Sequence, residues 1–475
     1  MGFGSSVLAS LVALLLVLFA GLLLAPVFAM VAARRLERRM RLPYRQNLMG
    51  VLPVAQKVGL LGIAELRIRA ATGKPPSRPM GTPRHLSPWE DLLFGFANVR
   101  PLPVPDERDV SLKVVIGPAA RRPLVLSHPV LVAPMSFGGA LSLKARVALA
   151  QAATNVDTAT NSGEGLFIPE ERRAARHYIV QYHRGTWPTS PQNDPQVLDA
   201  ADAIEVQVSQ GAQGAAPMTT EARLLHEEAR RRFGLAHGED ARIASRLKGV
   251  EEPEDILTLL HRLKERYEVP VGVKFAPSQR IEEELAFFLR APIDFVTLDG
   301  AEGGTHGGPP ILQDDMGLPT LWAVHRARRF LEREGLAERV SILAAGGLIS
   351  PGHFLKAIAL GATACYSGTL LAMALLSDQI ELPLLMGLPP YALDFQSTPL
   401  HRRLDQEQAM KSATNFLRAL AEEFALALRA LGKTSLSELC RDDLVALRRD
   451  LAEELGIAFV GGERAPSRAP LFVAT

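Results

Sequence analysis

The chain has 475 residues, with 53 Lys and Arg against 51 Asp and Glu, a formal net charge of +2 and two cysteines. That balance excludes electrostatic capture of nucleic acid as the principal task. Cys365 and Cys440 are too few for a disulfide framework, a four-thiolate zinc site or a cysteine-ligated iron–sulfur cluster.

Residues 1–33 hold no charged side chain, and Val7–Ala33 is almost wholly apolar. About 20 such residues cross the hydrocarbon core of a bilayer, and Pro26 is tolerable there as a kink. Arg34, Arg35, Arg38, Arg39, Arg41 and Arg45 follow, opposed only by Glu37. The positive-inside rule keeps that side cytoplasmic. The expectation is a single-pass signal anchor in the lipid bilayer through residues 7–33, with the bulk of the chain cytoplasmic. A cleaved signal peptide is the rival; it wants a basic leader and a shorter apolar run, although FAMVAA carries cleavage-like small residues.

Gln46–Ala71 reads as helical and semi-apolar, and the Pro/Gly-rich run GKPPSRPMGTPRHLSP reads as a linker. Between Leu92 and His128, short alternating runs (VSLKVVIG, PLVLSH) predict strands lying across the entrance of a larger domain. From Pro129, β-branched apolar runs alternate with helical patterns. Strands are predicted at 129–134, 157–161, 178–182, 203–208, 270–275, 294–300, 341–347 and 363–368, with helices at Ser142–Thr154, Ile281–Leu289, Leu318–Arg333 and Pro351–Leu360. Eight such strand–helix units predict an α/β fold, a closed (β/α)8 TIM barrel. A doubly wound sheet would put its glycine fingerprint after the first strand, whereas here the glycines follow the last three. Leu404–Leu431 and Ser435–Leu455 read as amphipathic helices and Gly461–Thr475 as a tail. The expected organisation is an anchor (1–33), a basic juxtamembrane helix and linker (34–79), the barrel (80–376) and a C-terminal helical extension (377–475).

Barrel enzymes carry their reactive groups on the loops after the strands. Here those loops carry Pro134-Met135-Ser136, Asn161 with Glu164, Gln207-Gln210-Gln213, Lys274, a glycine-rich run from Asp299 to Gly308, Gly346-Gly347 and Gly368-Thr369. Glycine turns let backbone N–H groups close on a phosphate. Lys274 points inward by strand alternation and suits the negative charge of an electron-rich ring. Phosphate at one end and an amine at the other suggest flavin mononucleotide, FMN. Each residue alone also has a plain structural reading: tight turns for the glycines, a salt bridge for Lys274, a solvated turn for Glu164, a rim position for His306, and a small buried hydrophobe for Cys365.

The strings APMSFGGALSLKARVALAQAA, TNSGEG, ADAIEVQVSQGAQG, VGVKF, DFVTLDGAEGGTHGGPP and LAAGGLISPGHFLKAIALGATACYSGT together resemble the FMN-binding synthase domain of the glutamate synthase family, over roughly residues 80–375. The resemblance implies FMN held by Pro134, Met135, Ser136, Asn161, Gln210 and Lys274 around the ring, and by Gly303, Gly304, Thr305, Gly346, Gly347, Gly368 and Thr369 around the phosphate. It implies Glu164, Lys274 and Gln210 as catalytic residues, and Gln207, Gln213, Arg184 and His306 as substrate contacts. In that family, reduced flavin delivers hydride to 2-iminoglutarate, giving glutamate. Two family lysines are Gln207 and Gln213 here, so 2-oxoglutarate is expected to bind weakly. The family's iron–sulfur cysteines have no counterpart in this sequence, and no amidotransferase domain is expected. Electrons are therefore expected from a separate protein, a quinone or a nicotinamide, and no metal is expected. Two rivals remain: a hydroxy-acid oxidase or isomerase-like barrel, which would use His306 or His183 as base, and a non-catalytic FMN-binding membrane scaffold.

Overall fold

A computed structural model describes residues 3–43, 51–396 and 398–462. The chain divides into two units, 1–76 and 77–475. In the first, one helix runs Phe3–Met40 with Pro26 inside it, and the stretch Phe19–Met40 is long and apolar enough to cross a membrane. The helix continues past Ala33 into the arginines, so the expected boundary there marks a change of chemistry and not of backbone. A second helix, Val51–Thr72, kinks at Gly59, whose φ of +72° a helix cannot hold. Residues 46–50, where that helix was expected to begin, and the tail beyond residue 462 lie outside the described residues.

The second unit is built on eight parallel strands: β1 (Val130–Val132), β2 (Ala159–Asn161), β3 (His177–Tyr182), β4 (Ala203–Gln207), β5 (Val271–Phe275), β6 (Phe295–Asp299), β7 (Ser341–Ala345) and β8 (Ala364–Ser367). Each pairs with the next, and β8 returns to β1 with Tyr366 opposite Leu131, closing the barrel. All eight coincide with the predicted runs, because β-branched stretches ending in glycine or small polar residues suit buried parallel strands. The connecting helices start where hydroxyl caps predict: Ser142 caps Leu143–Asn155 and Ser350 caps Pro351–Ala359. Parallel register sets Gln207, Lys274 and Thr297 side by side. Gly272 has no room for a methyl group, since a Cβ there would lie 2.4 Å from the Phe295 ring.

Three expectations about the surroundings need correction. The hairpin Val114–Ile116/Leu124–Leu126 does not cross the entrance; it closes the opposite end. Gly117 donates to Ser341 Oγ (3.0 Å) and packs on Pro270 and Asp294, all beside the N-terminal ends of the strands. Ile116 and Leu126 are fully buried, so this hairpin is an apolar plug. Ser435–Leu455 is not one helix. Short turns lead into a strand, Leu444–Ala446, that pairs antiparallel with Leu92–Phe94, and only Arg449–Leu455 is α-helical. The run expected as a linker is packed: from Ser77 it lies against the loops after the sixth and seventh strands as a strap. Gln406–Ala430 is the long helix expected, and it packs along Leu143–Asn155.

Arg146, fully buried on the first barrel helix, ties this scaffold to the loops above it. Its guanidinium donates to the carbonyls of Met135, Asn161 (3.0 Å) and Ser162 (3.1 Å) and pairs with Glu171 (2.7 Å). Arg146→Leu strands the Glu171 carboxylate and three carbonyls, and should lower stability by about 3–5 kcal/mol in denaturant melts. Arg223→Ala, which breaks a solvent-exposed pair with Glu221, should leave the melt essentially unchanged.

Candidate active site

A cavity of about 330 Å3 opens at the C-terminal ends of the strands, where barrel loops converge. Of the expected residues, Pro134, Met135, Ser136, Glu164, Gln210, Lys274, Gly304, Thr305, His306, Gly346, Gly347, Gly368 and Thr369 line it. Asn161, Arg184, Gln207, Gln213 and Gly303 are absent from that lining and stand behind it.

Lys274 sits at the floor, 3% exposed, with Nζ 3.0 Å from Asp299 Oδ2. Burial alone would pull its pKa down. The fields of Asp299, Glu205 and Glu164 outweigh burial and hold it above the ordinary lysine value. Beneath it, Glu205 is wholly buried and fully engaged: it accepts from Asn161 (3.0 Å), Gln181 (2.7 Å), Thr297 (2.6 Å) and Tyr366 (3.3 Å). Asn161 also donates to the Tyr366 hydroxyl (2.9 Å), which is why it cannot face the cavity. Burial beside Glu205 lifts the Tyr366 pKa well above 10, so the phenol stays protonated.

On one side, Glu164 is held by Arg184 (3.1 Å) and Gln210 (3.3 Å). Arg184, expected as a substrate contact, is entirely buried behind that carboxylate and outside the cavity lining. Gln207 donates to Gln210 (3.0 Å), Gln210 to Gln213 (2.7 Å), and Gln213 to Thr305. Gln207 and Gln213 are thus bonded to Gln210 and Thr305 and stand one layer behind the lining. His183 is locked: Gly185 N–H donates to its Nδ1, Nε2 meets Gly165 O at 3.0 Å, and burial drives its pKa down to about 3. His306 does line the cavity, and burial lowers its pKa too, which favours the neutral ring.

At the other side the wall is nearly all backbone. Gly346 and Gly347 have φ of +102° and +67°, and a Cβ on either would come within 3 Å of Gly303 N or Glu302. Gly303 itself packs on Gly211, Gly300 and Asp299, so it shapes the turn without reaching the cavity. Bare backbone at these turns, a protonated amine at the floor and the apolar strip Ala133–Met135 between them fit a flavin nucleotide, with N–H groups toward its phosphate and Lys274 toward its ring. Among the described residues no group of three or more His, Cys, Asp or Glu is placed to hold a metal ion.

Sequence reasoning missed Asp299, Glu205, Tyr366 and the strap, of which Met80 and Thr82–Ser87 line the cavity. Asp299 stands in the glycine-rich string, yet only the folded barrel reveals it as the partner of Lys274.

Over residues 94–434 the chain matches the family described as the conserved region in glutamate synthase. It is 32% identical to a glutamate synthase large subunit-like protein of Rhizobium meliloti, across 86% of this chain and 95% of that protein. It is 33% identical to an archaeal-type glutamate synthase (NADPH) of Thermotoga neapolitana, across 72% of this chain and 66% of that enzyme. This chain thus spans nearly all of one relative and about two thirds of the other. Among solved structures, a mandelate oxidase with an FMN adduct superposes with a TM-score of 0.46 at 17% identity, covering 74% of this chain and 87% of that one.

The raised pKa of Lys274 fixes a pH window. A pair that raises a lysine's folded pKa stabilises fully below the ordinary value of 10.5, and the stabilisation fades only as pH climbs through the raised value. Wild type should therefore melt above Lys274→Met by a steady margin from about pH 7 to about pH 10, narrowing beyond. A margin already absent at neutral pH would mean the amine is uncharged in the fold.

Proposed function

The chain belongs to the glutamate synthase family, and from that premise we propose that it is a membrane-anchored FMN oxidoreductase interconverting an imino or 2-oxo acid and an amino acid. One observation carries the reading: a single cavity joins glycine turns bare enough for a phosphate to a buried, charged lysine at its floor. FMN, when bound, supplies the redox chemistry, passing hydride between its ring and the substrate carbon.

The chain's own residues do the rest. Lys274 sets positive charge against the ring edge, and Asp299 fixes the direction of its amine. Glu164 is the carboxylate that reaches the cavity beside Gln210, and it takes or gives the proton of the substrate nitrogen. Arg184 and Gln210 hold both of its oxygens, which fixes its aim. Ala133, Pro134, Met135 and Leu348 exclude water from one wall.

Among the lining cations, Lys274 is spent on Asp299, and Arg84 lies on the strap. This supports weak binding of 2-oxoglutarate, as the glutamines at 207 and 213 imply. The hydroxy-acid oxidase alternative loses one candidate base, since His183 is sealed from the cavity. The helix Phe3–Met40 and the arginines at its end support a single-pass anchor with the barrel in the cytoplasm. The electron donor is a separate protein, quinone or nicotinamide.

Full-length protein purified in detergent should be yellow and should bleach on reduction. Glu164→Gln should keep the colour and lose about 10²–10⁴-fold in turnover with amino or imino acids. A colourless wild type that takes up no added FMN refutes the reading. A coloured protein that reacts with no such acid leaves the scaffold alternative.

A further inference from the structure

The cofactor cavity has a wall that the barrel does not supply. The strap begins by pairing with the loop after β6: Arg78 and Gly308 exchange backbone hydrogen bonds (2.9 and 3.2 Å), and Met80 N–H donates to Thr305 O (2.8 Å). Gly81 presses so closely on the turn that a Cβ would lie 2.6 Å from Gly303 O. The strap then passes Ser87, whose Oγ accepts from Leu321 N–H (3.1 Å) at the start of the following helix. It ends at Trp89, stacked on His353 and held by Lys356 (2.7 Å) just beyond the Gly346-Gly347 turn. The strap therefore runs along the glycine end of the cavity.

Midway along it stands Arg84, which lines the cavity. One of its nitrogens, Nη1, donates to Asp314 O (2.5 Å) and meets Asp315 (3.2 Å), which fixes the guanidinium at the rim while its side chain stays about half exposed. A phosphate monoester carries close to two negative charges at neutral pH. Backbone N–H groups answer part of that charge, and Glu302, which also lines this end, adds to it. The other permanently charged lining cation, Lys274, is committed to Asp299 at the floor.

We propose that Arg84 is the counter-ion of the FMN phosphate, carried to the site by the strap outside the barrel. This rests on the FMN reading and adds a residue that neither the glycine turns nor the family resemblance assigns. Arg84 suits the task because a guanidinium fork meets phosphate oxygens with two parallel bonds.

The experiment compares two flavins that differ only in the phosphate. Flavin-stripped full-length protein, wild type and Arg84→Ala, is titrated with FMN and with riboflavin, following quenching of flavin fluorescence. The alanine variant should weaken FMN about tenfold or more and leave riboflavin within about twofold. Arg84→Lys should recover part of the loss, and added salt should erode FMN affinity more steeply in wild type than in the alanine variant. An unchanged ratio of FMN to riboflavin affinity overturns the proposal, as does the same selective loss in His85→Ala but not in Arg84→Ala. Equal loss of both flavins would make Arg84 a prop of the strap and would also overturn it. A wild type that binds neither flavin removes the FMN reading itself.

Discussion

The barrel mouth is organised around one buried ammonium set among carboxylates. A lysine cannot be taken from water unless opposite charge and hydrogen bonds replace its hydration, and Asp299 at 3.0 Å does most of this for Lys274. The debt then passes downward, because Glu205 is buried as well and needs Asn161, Gln181, Thr297 and Tyr366 to satisfy it. Six strands therefore point polar groups into the upper interior. The upper interior is a closed polar network, and apolar packing is left to the lower levels and to the hairpin that plugs the base.

That division lets the site have two dissimilar sides. Near Glu164 the polar chemistry comes from side chains linked in a chain of amides, Gln207 to Gln210 to Gln213 to Thr305, with Arg184 behind. Near Gly346 the chemistry comes from main chain, and side chains are kept out by steric contact. The first side can tune proton transfer and recognition by substitution at a distance. The second can tolerate almost none.

The sequence made the barrel legible because its signals are local. A strand such as Val271–Phe275 declares itself by β-branched alternation, and a helix such as Leu143–Asn155 by its Ser142 cap. What stayed hidden depends on partners far along the chain. Residues 77–89 carry the Pro/Gly composition of a linker, and nothing in them records Gly303 or Leu321 more than 200 positions away. Leu444–Ala446 sits in an amphipathic pattern and becomes a strand only because Leu92–Phe94 offers an edge. Among the candidate residues, alternation told that Lys274 faces inward, and the loop position put Gln207 near the mouth. It did not tell that Gln207 would be covered by Gln210, or that Arg184 would stand behind Glu164. Glu205 lay inside a quoted motif, yet its weight comes from four donors on four different strands.

The small sheet that joins Leu92–Phe94 to Leu444–Ala446, with Ala458–Phe459 beyond, has a consequence for biosynthesis. Its first strand leaves the ribosome some 350 residues before its partner, so that edge stays open through most of translation. Loop closure over such a span is slow, and an exposed edge invites wrong pairing meanwhile. Folding of the second unit is thus completed only after the last helices have been made, and a nascent chain halted at the end of the barrel would be a client for chaperones.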